Sequence, residues 1–265
     1  MKKILVILLL LSSTLFSKTI ITIVHPFQEY FIKKIAEEKV YIKTVNEEGR
    51  KFDISDEKLV DSLAFSEYYF TLNLPEEKSY LDTFLSMNKQ LIIKDNTKNI
   101  EKLKDENGKE NPYFWLDPLL VRDYVTNIYN TLCEIRSYDK EFFTLNYEKV
   151  LDDIDSVYLQ ILKKINDSNL YGFVSFDNKF DYFAKRFKIK VVHKENRVLN
   201  LNEVSSFLKF YKDENIRHFV IEEESDYTIA QSYATQIDGK IIEVNIYERN
   251  WKMNLFTLLR RLIFL

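Results

Sequence analysis

Glycine and proline are scarce in this chain of 265 residues, with four of each, and there is one cysteine, Cys133. So little glycine leaves no glycine-rich phosphate loop. No GxGxxG, Walker A or GxSxG pattern occurs, which counts against several common nucleotide-binding and hydrolase folds. A lone cysteine has no internal disulfide partner. Cys133 falls in an apolar helical pattern with Ile128, Leu132 and Ile135, which is the setting of a core residue. Histidine is also rare, at three positions (His25, His193 and His218), and no histidine-rich stretch exists. The chain lacks a Ser-His-Asp set, a cysteine in basic surroundings and a positioned carboxylate pair, so it reads as a binding protein rather than an enzyme. Nor is there a basic patch or stripe. With 38 Lys and Arg against 41 Asp and Glu the net charge is −3, and nucleic acid is not an expected partner.

What is present is apolar and well mixed. Hydrophobic residues make up 46% and aromatics 15%, enough for a substantial core in one large domain or two ordinary ones. Charged residues are dispersed, which excludes disorder. Residues 1–17, MKKILVILLLLSSTLFS, place two lysines before an apolar run and small polar residues after it, the layout of a secretory signal peptide. The run from Ile4 to Leu11 falls short of the ~20 residues of a membrane span; the alternative is an uncleaved anchor. Cleavage near Ser17–Lys18 removes Lys2 and Lys3 and leaves −5. No cysteine follows the run, so lipid attachment there is excluded, and a Gram-negative periplasm fits best. The ending, residues 255–265, is apolar but interrupted by Arg260 and Arg261. It reads as an amphipathic helix docked on the domain, so the mature chain is expected to be a monomer without a membrane span.

The periodicity alternates. Strands are expected at Lys18–Val24, Val40–Val45, Tyr68–Leu72 and Gln90–Lys94. Helices follow at Phe27–Glu37, then from a cap at Ser55 or Asp56 through Leu59, Leu63 and Ala64. Residues 95–111 read as a surface loop and Leu119–Ile135 as a helix after Pro118. From Asp139 to Ile165 apolar residues recur every three or four positions without glycine or proline, a rod of ~40 Å if helical. Alternation then returns. Strands are expected at Tyr171–Ser175, Lys190–Val192, His218–Glu222 and Lys240–Val244, and helices at Lys179–Phe187, Leu201–Tyr211 and Asp226–Gln236. The fold class is α/β: two lobes with mostly parallel sheets joined by one long helix. The boundaries are 18–138 for the first lobe, 139–167 for the connecting helix and 168–265 for the second lobe.

Three stretches carry a family likeness. Asn111–Pro118 reads NPYFWLDP, Phe173–Phe187 reads FVSFDNKFDYFAKRF, and Val24–Phe27 with Phe52–Leu59 gives VHPF and FDISDEKL. The chain resembles the zinc/manganese-type, TroA-like periplasmic substrate-binding proteins of metal ABC importers, which carry a DPHxWLDP-like motif and a YFAKRY helix. The resemblance runs from about residue 19 to 262. It implies a cleft between lobes, limited hinge motion, a divalent metal (zinc or manganese) as transported ligand, and an ABC-importer membrane permease as partner.

The family is similar in holding its metal by three histidines and a carboxylate, or two of each. Carried over, the first histidine falls on Arg50, the second on Tyr113 and the third on Asp177, while the last carboxylate falls on Asn245. Arginine stays charged and offers no lone pair. Tyrosine ligates poorly while protonated, with an ordinary pKa of about 10. The three histidines match none of these positions and read as strand-end or surface residues. The expectation is therefore a remodelled, weakened metal site in which Arg50 pairs with Asp177 while Tyr113 and Asn245 hydrogen-bond around them. Acids nearby, Glu47, Glu48 and Asp53, would join Asp177 in an all-oxygen site for a hard ion, or else lie in a solvated loop. Glu222, Glu223 and Glu224 face the cleft, a partner or solvent. The alternative function is a diverged binding module for an anion, a small molecule or a protein.

Overall fold

The β-branched run after Lys18 forms the first strand of a parallel sheet. The computed structural model describes residues 18–46, 63–105, 107–194, 197, 199–222 and 227–264. The segment read as a signal peptide, Arg50 with its neighbouring acids, the helix expected after Ser55, and Glu223–Glu224 lie outside the described residues. In the first lobe β1 (Thr19–Ile23) pairs with β2 (Val40–Thr44) on one side and β3 (Tyr68–Thr71) on the other, and β3 pairs with β4 (Ile92–Asp95). The order is β2-β1-β3-β4, and every pairing is parallel. The second lobe repeats the plan as β6-β5-β7-β8, with β5 (Gly172–Ser175), β6 (Lys190–His193), β7 (His218–Glu222) and β8 (Lys240–Val244).

Helices α1 (Pro26–Ala36), α2 (Lys78–Met87), α3 (Pro118–Ile135), α4 (Lys140–Asn166), α5 (Asp181–Phe187), α6 (Leu201–Glu214), α7 (Tyr227–Ile237) and α8 (Trp251–Phe264) complete the chain. Three depart from the periodicity reading. Helix α2 is an addition: Leu81, Phe84, Leu85 and Met87 recur at helical spacing, and of the described side chains only Phe84 is fully buried, with Leu81 half-buried. Helix α5 starts at Asp181 rather than Lys179, because the Asp177 side chain accepts the Lys179 N–H at 3.0 Å and holds the preceding residues in a turn. Helix α6 runs on to Glu214 and stops where Asn215 turns left-handed, φ 48°. Cys133 is half-buried at the edge of the core.

Helix α4 is the rod. Phe143, Asn146, Val150, Ile154, Val157, Ile161 and Ile165 line its buried stripe, and its 27 residues span ~40 Å. One apolar cluster runs from the first sheet and α1 through α3 and this stripe to α8 and the facing side of the second sheet. The second sheet alternates as a strand should: Phe173, Val220 and Ile242 face that shared core, while Val174, Phe219 and Ile221 face a separate cluster with Phe207, Tyr211 and Tyr233. The lobes are also clasped by polar contacts. Asp117 caps α3 through the Leu119 N–H (2.9 Å) and accepts from Arg186 Nε of α5 (2.7 Å). The Tyr182 hydroxyl accepts from the Leu103 N–H and donates to the Asn111 carbonyl, both at 2.8 Å. Trp115 Nε1 donates to the Ile246 carbonyl (2.9 Å), and Trp251 Nε1 donates to the Trp115 carbonyl (2.7 Å). WLDP and YFAKRF thus meet each other across the lobes.

His25 joins β1 to α1. It is strand-end, as its position suggests, but lies inside rather than at the surface, 4% exposed. Neither ring nitrogen has a hydrogen-bond partner among the described residues, and burial pushes its pKa down to about 3. Its backbone is well held: Gln28 Oε1 accepts from the N–H groups of Val24 (3.0 Å) and His25 (2.9 Å).

Two expectations follow. Between pH 6.5 and about 3 the unfolded His25 binds a proton that the folded one refuses, so stability falls as pH drops through that window. The loss from this group is on the order of 2 kcal/mol by pH 5. Urea titrations at pH 7 and 5 are expected to show the His25→Phe variant less acid-sensitive by that amount; equal sensitivity would contradict the burial argument. At Gly172 a Cβ would overlap the Lys190 carbonyl of the neighbouring strand. Gly172→Ala is expected to cost about 1–3 kcal/mol in thermal unfolding, and an unchanged melting temperature would mean that β5 and β6 can part.

Candidate functional site

In each sheet the chain leaves the first strand to one side and returns to pair on the other, so connections diverge outside the carboxyl ends of β1 and β3 and of β5 and β7. Open α/β sheets take ligands at such crevices. His25 follows β1, and the loop carrying Glu76 follows β3. Asp177 and Lys179 follow β5, and Glu222 ends β7. Tyr113, ahead of α3, and Tyr247, between β8 and α8, reach the same place.

The first-lobe side is shaped by Glu77. Its buried carboxylate accepts from the Tyr69 hydroxyl (3.1 Å), Thr71 Oγ1 (2.5 Å), and the Leu72 and Leu74 N–H groups (3.1 Å each). Burial raises its pKa, and these hydrogen bonds oppose the rise. The loop so fixed carries Glu76, whose charge acts on both Tyr113 and Tyr247.

The second-lobe side is built around an ammonium. Lys179 Nζ lies 2.7 Å from Asp177 Oδ2 and 2.7 Å from Glu222 Oε2, with its side chain 18% exposed. The Tyr113 ring centroid is 6.0 Å away. Burial works against the lysine's charge, but the bonds to Asp177 and Glu222 outweigh it and push its pKa up, so the ammonium is permanent. Tyr113 is held neutral chiefly by burial, with Lys179 pulling weakly the other way. Its hydroxyl bonds to that of Tyr247, whose pKa burial also raises. The Tyr247 ring stacks on His25 at 3.8 Å between centroids, and Trp115 packs beside both tyrosines.

Of the four positions carried over from the family, the structure brings Tyr113 and Asp177 together through Lys179. Arg50 lies outside the described residues, so the Arg50–Asp177 pair is not seen; the partner observed on the Asp177 carboxylate is Lys179. Asn245 turns inward to its own segment. Its Oδ1 accepts from the Tyr247 N–H (2.9 Å), and its carbonyl accepts from Asn254 Nδ2 (2.7 Å). It positions Tyr247 instead of hydrogen-bonding around the charged pair. Glu222 faces the cleft rather than solvent. Lys179, Tyr247 and His25 are the residues that sequence reasoning missed. The signal for Lys179 was its place two residues after Asp177. His193 is at the end of β6, 2.9 Å from Asp181; that bond leads in raising its pKa. His218 begins β7, at the opposite end of the strand. Among the described residues no group of three or more His, Cys, Asp or Glu side chains is placed to hold a metal ion, and no helix is long and apolar enough to cross a membrane.

Comparison with known proteins gives the family. The zinc-uptake complex component A, periplasmic (ZnuA) family matches residues 21–260. No curated protein matches. A crystal structure of ZnuA superposes with a TM-score of 0.82 at 19% identity, over 92% of this chain and 98% of that one. A cadmium-bound periplasmic metal-binding protein from Candidatus Liberibacter asiaticus gives 0.76 at 15% identity, over 93% and 100%. A mutant of the laminin-binding adhesin of Streptococcus agalactiae gives 0.76 at 18%, again over 93% and 100%. These likenesses are of fold. The family match, covering nearly all of the sequence, assigns the protein: the chain belongs to the periplasmic zinc-uptake component A family, the solute-binding receptors of metal ABC importers.

Proposed function

We propose that this receptor keeps the family's two-lobed cleft but holds a remodelled and weakened metal site. The observation supporting this is the Lys179 ammonium between Asp177 and Glu222, 2.7 Å from each. A dication ~4 Å from a fixed ammonium meets a repulsion of about 8 kcal/mol at an effective dielectric of 20. Tyr113 stands where the family has a histidine, and a phenol kept neutral by burial is a poor ligand. Asn245 stands where it has a carboxylate and spends its side-chain oxygen on its own backbone. Solved relatives of this fold are described with zinc, cadmium or manganese bound, and zinc or manganese is the cargo that such ancestry suggests here.

On this reading residues 1–17 direct export and are removed. The mature chain, with lobes 18–138 and 168–265 and connecting helix 139–167, works as a monomer in the periplasm. It delivers its ligand to a membrane permease and catalyses no reaction. A second reading, a ligand other than a metal ion, draws on the aromatic floor of Tyr113, Tyr247 and Trp115 and on the buried cation above it.

The test is thermal unfolding of the mature chain with zinc, manganese or EDTA. A ligand binding only the folded state at a hundred times its Kd adds about 2.7 kcal/mol, roughly 5–10 °C for a chain of this size. At about 0.1 mM of either metal, roughly a hundred times a micromolar Kd, the expected shift is a small fraction of that. A full shift reversed by EDTA would overturn the reading.

A further inference from the structure

We propose that Lys179 sets the ion specificity of the cleft: its ammonium fills the cation position between Asp177 and Glu222 and keeps a divalent ion out of it. The inference rests on the weakened-site reading and names its cause.

Two carboxylate oxygens from loops that leave different strands converge on one point, each 2.7 Å from Lys179 Nζ. They can therefore be no farther apart than twice that distance. A small divalent ion bound to both at about 2.0–2.2 Å needs each oxygen to move in by roughly half an ångström, within the reach of a side-chain adjustment. With the lysine the trio carries one net negative charge; with a neutral residue it carries two, matching a dication. A third oxygen, the Tyr113 hydroxyl, belongs to the ring beside the ammonium. Two nitrogen donors adjoin these elements: His193, bonded to Asp181 and to the Asp177 backbone, and, at the end of β1, His25. His25 is 4% exposed, and neither ring nitrogen has a partner among the described residues. Tyr247 lies over it in a ring stack of 3.8 Å and hydrogen-bonds to Tyr113. Oxygen donors alone favour a hard ion, manganese, calcium or magnesium, over zinc.

Lys179 is exchanged for glutamine, which removes the charge and keeps the bulk, and for arginine, which keeps the charge. Manganese, calcium and zinc are titrated into each full-length mature protein by calorimetry, with circular dichroism melts as a check on folding. Lys179→Gln is expected to gain at least about tenfold in manganese affinity over the parent, and Lys179→Arg to gain nothing. Asp177→Asn placed on the Lys179→Gln background is expected to abolish the gain. Where Lys179→Gln fails to fold, Lys179→Met takes its place in the same comparison. Silence of the parent together with silence of the folded neutral variant overturns the role of Lys179 and leaves the weakened site standing. Tight binding by the parent itself overturns both. A gain in Lys179→Arg equal to that in Lys179→Gln also overturns the proposal, because charge would not be what excludes the ion.

Discussion

Two ionised carboxylates repel each other in a partly dry crevice, and a positive charge between them relieves it. Asp177 and Glu222 are brought to that situation by the topology: both lie at the carboxyl ends of adjacent parallel strands, where connections depart in opposite directions. In water each would be solvated separately. Here the lysine two residues after Asp177 folds back over the turn and joins them. The same side chain lies beside Tyr113 of the first lobe, so one ammonium organises the crevice on both sides.

The family motifs serve this arrangement from a distance. The Asp117–Arg186 ion pair, together with backbone-directed bonds of Tyr182 to Leu103 and Asn111 and of Trp115 and Trp251 to Ile246 and to each other, forms a clasp between the lobes. These are positioning contacts, made by residues other than Asp177, Lys179 and Glu222. The clasp thus holds WLDP against YFAKRF without drawing on Tyr113, Asp177 or Asn245. Asn245 instead holds Tyr247 in place.

The two-lobed plan was legible because its signals are local. The β-branched runs gave eight strands, and the seven-residue stripe on α4 gave the rod. Glycine-poor, proline-poor sequence kept those patterns unbroken. Helix α2 was missed although Leu81, Phe84, Leu85 and Met87 give it an apolar pattern; only Phe84 of these is fully buried, and Leu85 and Met87 are exposed. The start of α5 was misread because the Asx turn at Asp177 imitates the first turn of a helix in sequence. Tyr113 and Asp177 were found by alignment of motifs. Lys179 and Tyr247 were not, since their role arises from contacts made across 43 and 134 positions, to Glu222 and Tyr113 respectively. His25 reads in sequence as a polar strand end; only the packing of Tyr247 over it makes it part of the interior.

The shared apolar cluster has a mechanical consequence. Swinging the lobes apart about α4 would draw Phe173, Phe183 and Val220 away from the stripe and the first-lobe helices they share a cluster with. Each large apolar side chain returned to water costs about 1.5–3 kcal/mol. Such a body does not gape like a jaw. Any opening of the crevice therefore has to come from strand-end segments in front of a frame that stays shut, and there it must break the ion pairs that Lys179 makes.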